Sequence, residues 1–153
     1  MPCEQAMDIE VPMGELVVTQ EEVILTTHAV GSCAVIALYD PNLNIAGMMH
    51  AMLPLSVVHT PLTQPSPLRG EGKGEGAKYV DTAIDLALEK MRSLGAQSFD
   101  IEAKLVGGAN MFGLTSSDIG RDNILSANKK LKEAGIKLIG ESTGCSIGRS
   151  VGF

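Results

Sequence analysis

The chain has no tryptophan and few aromatic residues of any kind, with two tyrosines and three phenylalanines among 153 residues. Its core must therefore be filled by Val, Ile, Leu, Ala and some of the eight methionines. Cysteine is scarce, and Cys3, Cys33 and Cys145 are odd in number and widely spaced, with no CxxC pair. That argues against both a secreted disulfide framework and a zinc-ribbon ligand set. Positive charge is in deficit. The net charge of -6 argues against a nucleic-acid binder and against docking on anionic lipid. No apolar run approaches the roughly 20 residues of a membrane span. The first fourteen residues carry acids and prolines, without a basic start before an apolar run, so they do not read as a signal peptide. A cytoplasmic, reducing environment is the simplest expectation.

What is present fits one domain over 1–153, with an N-terminal extension over 1–14. Residues 15–19 and 23–27 read as short strands. Residues 33–39 form a continuous apolar run of strand length, followed by the turn signal Asp40-Pro41-Asn42. Residues 45–53 are apolar again, so the two runs predict a hairpin. Residues 60–76 are rich in Pro and then in Gly and charge, which predicts a flexible loop, either a tolerated insertion or a flap over a site. Tyr79, Ala83, Leu86, Ala87, Met91 and Leu94 recur at helical spacing before Gly95. Residues 99–106 alternate as a strand, with Phe99, Ile101, Ala103 and Leu105 on one face. Residues 119–134 predict a second helix, and 136–141 and 146–153 predict terminal strands. Strands at both ends with two helices between them predict an α+β fold rather than alternating βαβ units.

One place has the ingredients of nucleophilic catalysis. Gly31-Ser32-Cys33 sits at a loop-to-strand junction, where the strand fixes the thiol and the glycine permits a tight turn. Backbone N–H groups around Gly31, Ser32 and Cys33 are candidates to face a developing oxyanion. A thiol with an ordinary pKa of ~8.5 needs a base. Of the three histidines, His50 is best placed. A hairpin centred on the Asp40-Asn44 turn pairs residues whose numbers sum to about 84, which sets Cys33 opposite Ala51. A one-residue shift then brings His50 onto the face of Cys33. Thr27, at the end of the preceding strand, is a candidate to orient the ring. The competing reading is a core cysteine and an internally satisfied histidine, and residue types alone do not separate the two. One Cys and one His without CxxC or HExxH spacing do not make a metal site. Gly107-Gly108-Ala109-Asn110-Met111-Phe112 reads as a glycine turn or as a wall of the cleft. Asn110, Phe112 and Arg149 are candidate substrate or partner contacts.

Several blocks closely resemble the chemotaxis protein CheD family. They are Thr27-His28-Ala29-Val30-Gly31-Ser32-Cys33, Leu38-Tyr39-Asp40-Pro41, Gly47-Met48-Met49-His50-Ala51-Met52-Leu53-Pro54 and Lys78-Tyr79-Val80-Asp81-Thr82-Ala83-Ile84. The glycine turn at 107–112, Ile119-Gly120 with Asn123, and Gly148-Arg149-Ser150-Val151 with Phe153 continue the likeness in order. The resemblance implies a chemoreceptor glutamine deamidase, hydrolysing glutamine side chains on the cytoplasmic helices of methyl-accepting chemotaxis receptors to glutamate. It implies Cys33 as nucleophile, His50 as base and Thr27 as assisting residue, with no cofactor. It also implies a CheC-type phosphatase as a second partner, and a fold of layered mixed β-sheets with two main helices, related to cysteine-hydrolase toxins. The alternative it leaves is a non-catalytic module that docks and stimulates that phosphatase.

Overall fold

The apolar run after Cys33 does fold back on its successor. In the computed structural model, which describes residues 6–56, 75–110 and 118–153, β4 (Ala34–Asp40) pairs antiparallel with β5 (Ile45–Ala51). The Asp40 carboxylate accepts the N–H groups of Asn42 and Leu43, and Asn44 takes a left-handed φ of 52°, so the loop closes over four residues. The pairing is Asp40 with Ile45 and Val35 with His50. The numbers thus sum to 85, one more than a turn centred on Asn42 predicts.

This hairpin is the middle of a five-stranded sheet. β2 (Leu16–Thr19) flanks β5, and β6 (Glu102–Gly107) flanks β4 in antiparallel pairing. β7 (Lys137–Thr143) closes the far edge parallel to β6. A parallel pair needs a crossover, supplied by α2 (Ile119–Glu133). Ile36, Leu38, Ile45, Met49 and Leu105 leave one face of the sheet. They pack against Ile84, Leu88 and Met91 of α1 (Val80–Ser93) and Leu131 of α2. The other face carries Val35 and Met48 onto Leu25 and Val30 of β3 (Val23–Val30) and onto Val11. β3 is the centre of a three-stranded sheet, between a parallel β1 (Met7–Glu10) and an antiparallel β8 (Arg149–Gly152). The result is helices, a five-stranded sheet and a three-stranded sheet in layers, the expected α+β class with mixed sheets. β4 is buried on both faces, which explains its unbroken apolar sequence. Each fully buried aliphatic side chain contributes about 1.5–3 kcal/mol.

Some local expectations shift. The extension at 1–14 contains β1, and Val11 beyond it is fully buried. The buried stripe of α1 is Val80, Ala83, Ile84, Ala87, Leu88 and Met91, while Leu94 is exposed after the helix ends. Phe99 faces solvent rather than the core, because residues 98–100 form a short 3-10 turn before β6 begins. The expected flexible loop lies outside the described residues, except that 75 and 76 open a 3-10 helix, Glu75–Lys78. Among the described residues no helix is long and apolar enough to cross a membrane.

Candidate active site

Cys33 stands just before β4, where the chain bends through Gly31, Ser32 and Cys33. All three carbonyls of this bend are tied back. Ala109 N–H donates to Gly31 O at 2.9 Å, and Gly108 N–H donates to Cys33 O at 2.9 Å. The side-chain amide of Asn123, on α2, donates to Ser32 O at 2.8 Å. The glycine turn can approach this closely only because Gly107 lacks a side chain and holds φ at 115°. A Cβ there would sit 2.1 Å from Cys33 O.

A planar trans peptide points its N–H away from its C=O. Tying back Gly31 O and Ser32 O therefore turns the N–H groups of Ser32 and Cys33 away from the groups that hold those carbonyls. The thiol opens on a cleft of about 570 Å³ lined by Met13, Ser32, Met52, Leu53, Lys78 and Ile119 among others. Cys33 itself is 8% exposed.

His50 does not line this cleft; it is 1% exposed, on the inter-sheet face of β5 together with Met48. Val35 pairs with His50 and Cys33 precedes Val35 by two residues, so β4 continued by one residue would set the thiol on the face of the imidazole; the strand starts at Ala34, and the chain bends through Cys33. From the facing sheet Thr27, also 1% exposed, brings Oγ1 to 2.8 Å from His50 Nδ1 and to 2.7 Å from Val11 O.

These two contacts fix the tautomer. A hydroxyl has one proton and a carbonyl can only accept, so Thr27 donates to Val11 O and accepts from His50 Nδ1–H. Nε2 is thereby left with its lone pair. It is buried and meets no hydrogen-bond partner among the described residues. Contacts of a general base commonly tighten only when substrate is seated.

Burial pushes the Cys33 thiol up, an effect its own backbone N–H partly opposes, and burial pushes His50 down. Both shifts favour a resting pair of neutral thiol and neutral imidazole over a thiolate–imidazolium pair. The arrangement suits general-base activation of sulfur for attack on a carbonyl.

The remaining candidates lie elsewhere. Asn110 lines a neighbouring cavity of about 320 Å³ with Asp118, Arg121 and Cys145, and its N–H donates to Cys145 O. Arg149, on β8, donates to Gly144 O. Neither lines the Cys33 cleft. Phe112 is outside the described residues. A larger cavity, about 740 Å³, is lined by Gln20, Glu21, Tyr39, Lys104 and Phe153 among others, and no thiol or imidazole reaches it. Volume therefore does not select the site, whereas the chemistry of Cys33 and His50 does. No group of three or more His, Cys, Asp or Glu able to hold a metal occurs among the described residues.

Sequence reasoning gave Asn123 no chemical role and did not single out Val11. Each meets a partner distant in sequence, the Ser32 carbonyl for Asn123 and the Thr27 hydroxyl for Val11, and no local pattern announces either.

Comparison with known proteins completes the description. A family model described as CheD chemotactic sensory transduction matches residues 61–153. A probable chemoreceptor glutamine deamidase CheD of Thermococcus kodakarensis is 38% identical over 148 residues, covering 95% of this chain and 85% of that protein. Its counterpart in Pyrococcus abyssi is 40% identical over 147 residues, with 94% and 83% covered. The chemoreceptor glutamine deamidase CheD of Halalkalibacterium halodurans is 36% identical over 149 residues, with 95% and 86% covered. Two solved structures share the fold. A Neisseria meningitidis protein of family DUF152 aligns at TM-score 0.58 with 9% identity, over 93% of this chain and 65% of its own. The Bacillus licheniformis hypothetical protein YfiH aligns at 0.51 with 15% identity, over 86% and 51%. The chain thus spans less than two thirds of either, and at these identities the likeness speaks to fold alone.

Proposed function

The chain belongs to the CheD family, and from that membership we propose that it is a chemoreceptor glutamine deamidase in which Cys33 is the nucleophile, His50 the base and Thr27 the group that orients the base. The observation that carries the assignment is the Thr27 hydroxyl. By giving its only proton to Val11 O it accepts from Nδ1, which leaves Nε2 with a free lone pair, the atom this reading uses as the base.

The steps follow from this geometry. His50 Nε2 takes the Sγ proton as sulfur bonds to the carbonyl carbon of a glutamine side chain. The carbonyl π electrons move to oxygen, and backbone N–H groups at Ser32 and Cys33 stabilise that oxyanion, each such donor contributing about 3 kcal/mol. The C–N bond then breaks. Its nitrogen takes the proton from Nε2 and leaves as ammonia, so a thioester remains. Water adds to the thioester while Nε2 takes its proton, and the C–S bond breaks to give glutamate and a thiol that recovers the proton. Starting from a neutral pair avoids a buried separated charge in the resting site.

The substrates in this reading are cytoplasmic domains of methyl-accepting chemotaxis receptors, which sets the work in the cytoplasm. A CheC-type phosphatase is the second partner. The test is incubation with receptor cytoplasmic fragments and mass spectrometry of their glutamine-containing peptides. Conversion of glutamine to glutamate by the wild type supports the reading. No conversion, together with a phosphatase stimulation that Cys33→Ala leaves intact, moves the answer to a docking module.

A further inference from the structure

The two strands that carry the proposed nucleophile and base part company at the site. The β4–β5 ladder ends at the Ala34–Ala51 pair. Beyond it, β5 turns away, and the N–H groups of Met52 and Leu53 both donate to Lys78 O. One more step of the ladder would have set Cys33 against Met52. In place of that step stands a single side chain from α2. Asn123 is wholly buried, and its Nδ2 donates to Ser32 O at 2.8 Å and to Met52 O at 3.0 Å. Both partners are carbonyls, so the end of the amide that meets them must be nitrogen. The two protons of one amide thus join the residue before Cys33 to the residue two beyond His50.

The helix is brought within reach by glycines. A Cβ on Gly120 would lie 2.6 Å from Ala109 O, and one on Gly108 would lie 2.2 Å from the Ile124 side chain. The first turns of α2 therefore rest directly on the turn that holds Gly31 O and Cys33 O. Asn123 holds the remaining carbonyl of the bend. Ser32 C=O belongs to the same planar peptide as Cys33 N–H, so fixing the oxygen fixes the direction of the N–H proposed to meet the oxyanion. A buried asparagine is a costly choice in the middle of a helix, where an apolar residue would be the default. Its Oδ1 is buried with no partner among the described residues, so the residue is not there for a fully satisfied network. What it supplies is the pair of donors.

We propose that Asn123 is a positioning residue for the reaction, an amide clamp that substitutes for the missing ladder step and holds the Cys33 loop and the His50 strand in register. It touches neither substrate nor the reacting atoms. The proposal rests on the deamidase reading for its effect on turnover, but not for its effect on the thiol.

Asn123→Asp tests it, since this change keeps the shape and replaces a donor group by an acceptor facing two carbonyls; Asn123→Ala removes the clamp altogether. Three quantities are read on each full-length protein: kcat and KM on a receptor cytoplasmic fragment, the alkylation rate of Cys33 with iodoacetamide followed by peptide mass spectrometry, and thermal unfolding. The expected result for folded Asn123→Asp is a kcat about 10- to 100-fold lower, with KM within about twofold and Cys33 alkylation changed several-fold. Wild-type kcat and alkylation in the folded variant overturn the proposal. So does a loss carried by KM alone, or one matched by the unfolded fraction. If the wild type converts no glutamine, the deamidase reading fails. The alkylation rates then decide the clamp by themselves, a several-fold change supporting it and identical rates overturning it.

Discussion

Replacing Thr27 by valine keeps the volume of the side chain and deletes one hydroxyl, so its consequences can be worked from two distances. The hydroxyl lies 2.7 Å from Val11 O and 2.8 Å from His50 Nδ1, in a site that is 1% exposed. Removing it strands a buried carbonyl and a buried ring N–H, at about 1–3 kcal/mol each. A loss of about 2–6 kcal/mol in stability should follow, which for a chain of this size lowers Tm by roughly 4–24 °C. The effect on turnover has a different origin. The Nδ1–H tautomer loses a preference worth about 1 kcal/mol, and the ring loses its anchor, so kcat should fall about tenfold or more. KM should stay within about twofold, because a residue this buried does not meet substrate. Thr27→Ser keeps the hydroxyl and should keep the rate. The assay is conversion of glutamine on receptor fragments, well below the melting point of each variant. Wild-type kcat in Thr27→Val, or an equal loss in Thr27→Ser, would refute the assignment of Thr27 as the group that sets the base.

The remaining predictions concern pH and the glycine turn. Burial lowers the His50 pKa from its ordinary 6.5, so the unfolded chain binds a proton there that the folded protein refuses, and stability falls as pH drops through 6.5. Burial raises the Cys33 pKa from its ordinary 9.0, so the unfolded chain releases a proton that the folded protein retains, and stability falls as pH rises through 9.0. Urea unfolding across pH should show both limbs, and His50→Gln and Cys33→Ala should each flatten its own limb; a limb that persists in its variant contradicts the assignment. Gly107→Ala should be severely destabilising, since its Cβ would overlap Cys33 O and lie 2.9 Å from Val30 Cγ1 at a φ of 115°. Gly135→Ala, with φ of 72° and nothing within 4 Å, should cost only about 1–2 kcal/mol for its backbone conformation. Equal losses of unfolding free energy in the two variants would show that the close approach of the glycine turn to Cys33 does not matter.

Much of the site was legible because it is written in a hairpin. The apolar run before Asp40-Pro41 and its return after Asn44 announce β4 and β5, and a period of two assigns faces. The register missed by one because the turn residues do not reveal that Asp40 stays in the ladder and closes a four-residue loop with Ile45. That single step is the one-residue shift the sequence argument called for between Cys33 and His50. The strand at Met7–Glu10 was not legible, since three of its four residues are exposed and Ile9 alone packs on the core beside the backbone pairing with β3. Phe99 misled for the opposite reason. It continues the alternation of β6 by type, but the 3-10 turn ahead of the strand faces it outward. Asn123 carries no local signal of its role, because that role depends on carbonyls 91 and 71 residues away.

The central claim is that a glutamyl group passes through the sulfur of Cys33. An acid quench of the protein mixed in excess with a receptor cytoplasmic fragment, followed by digestion and mass spectrometry, tests it directly. The account predicts a peptide containing Cys33 joined as a thioester to a receptor peptide that has lost ammonia, and no such adduct or glutamate product from Cys33→Ala. Conversion of glutamine at the wild-type rate by Cys33→Ala, without an adduct, would contradict it.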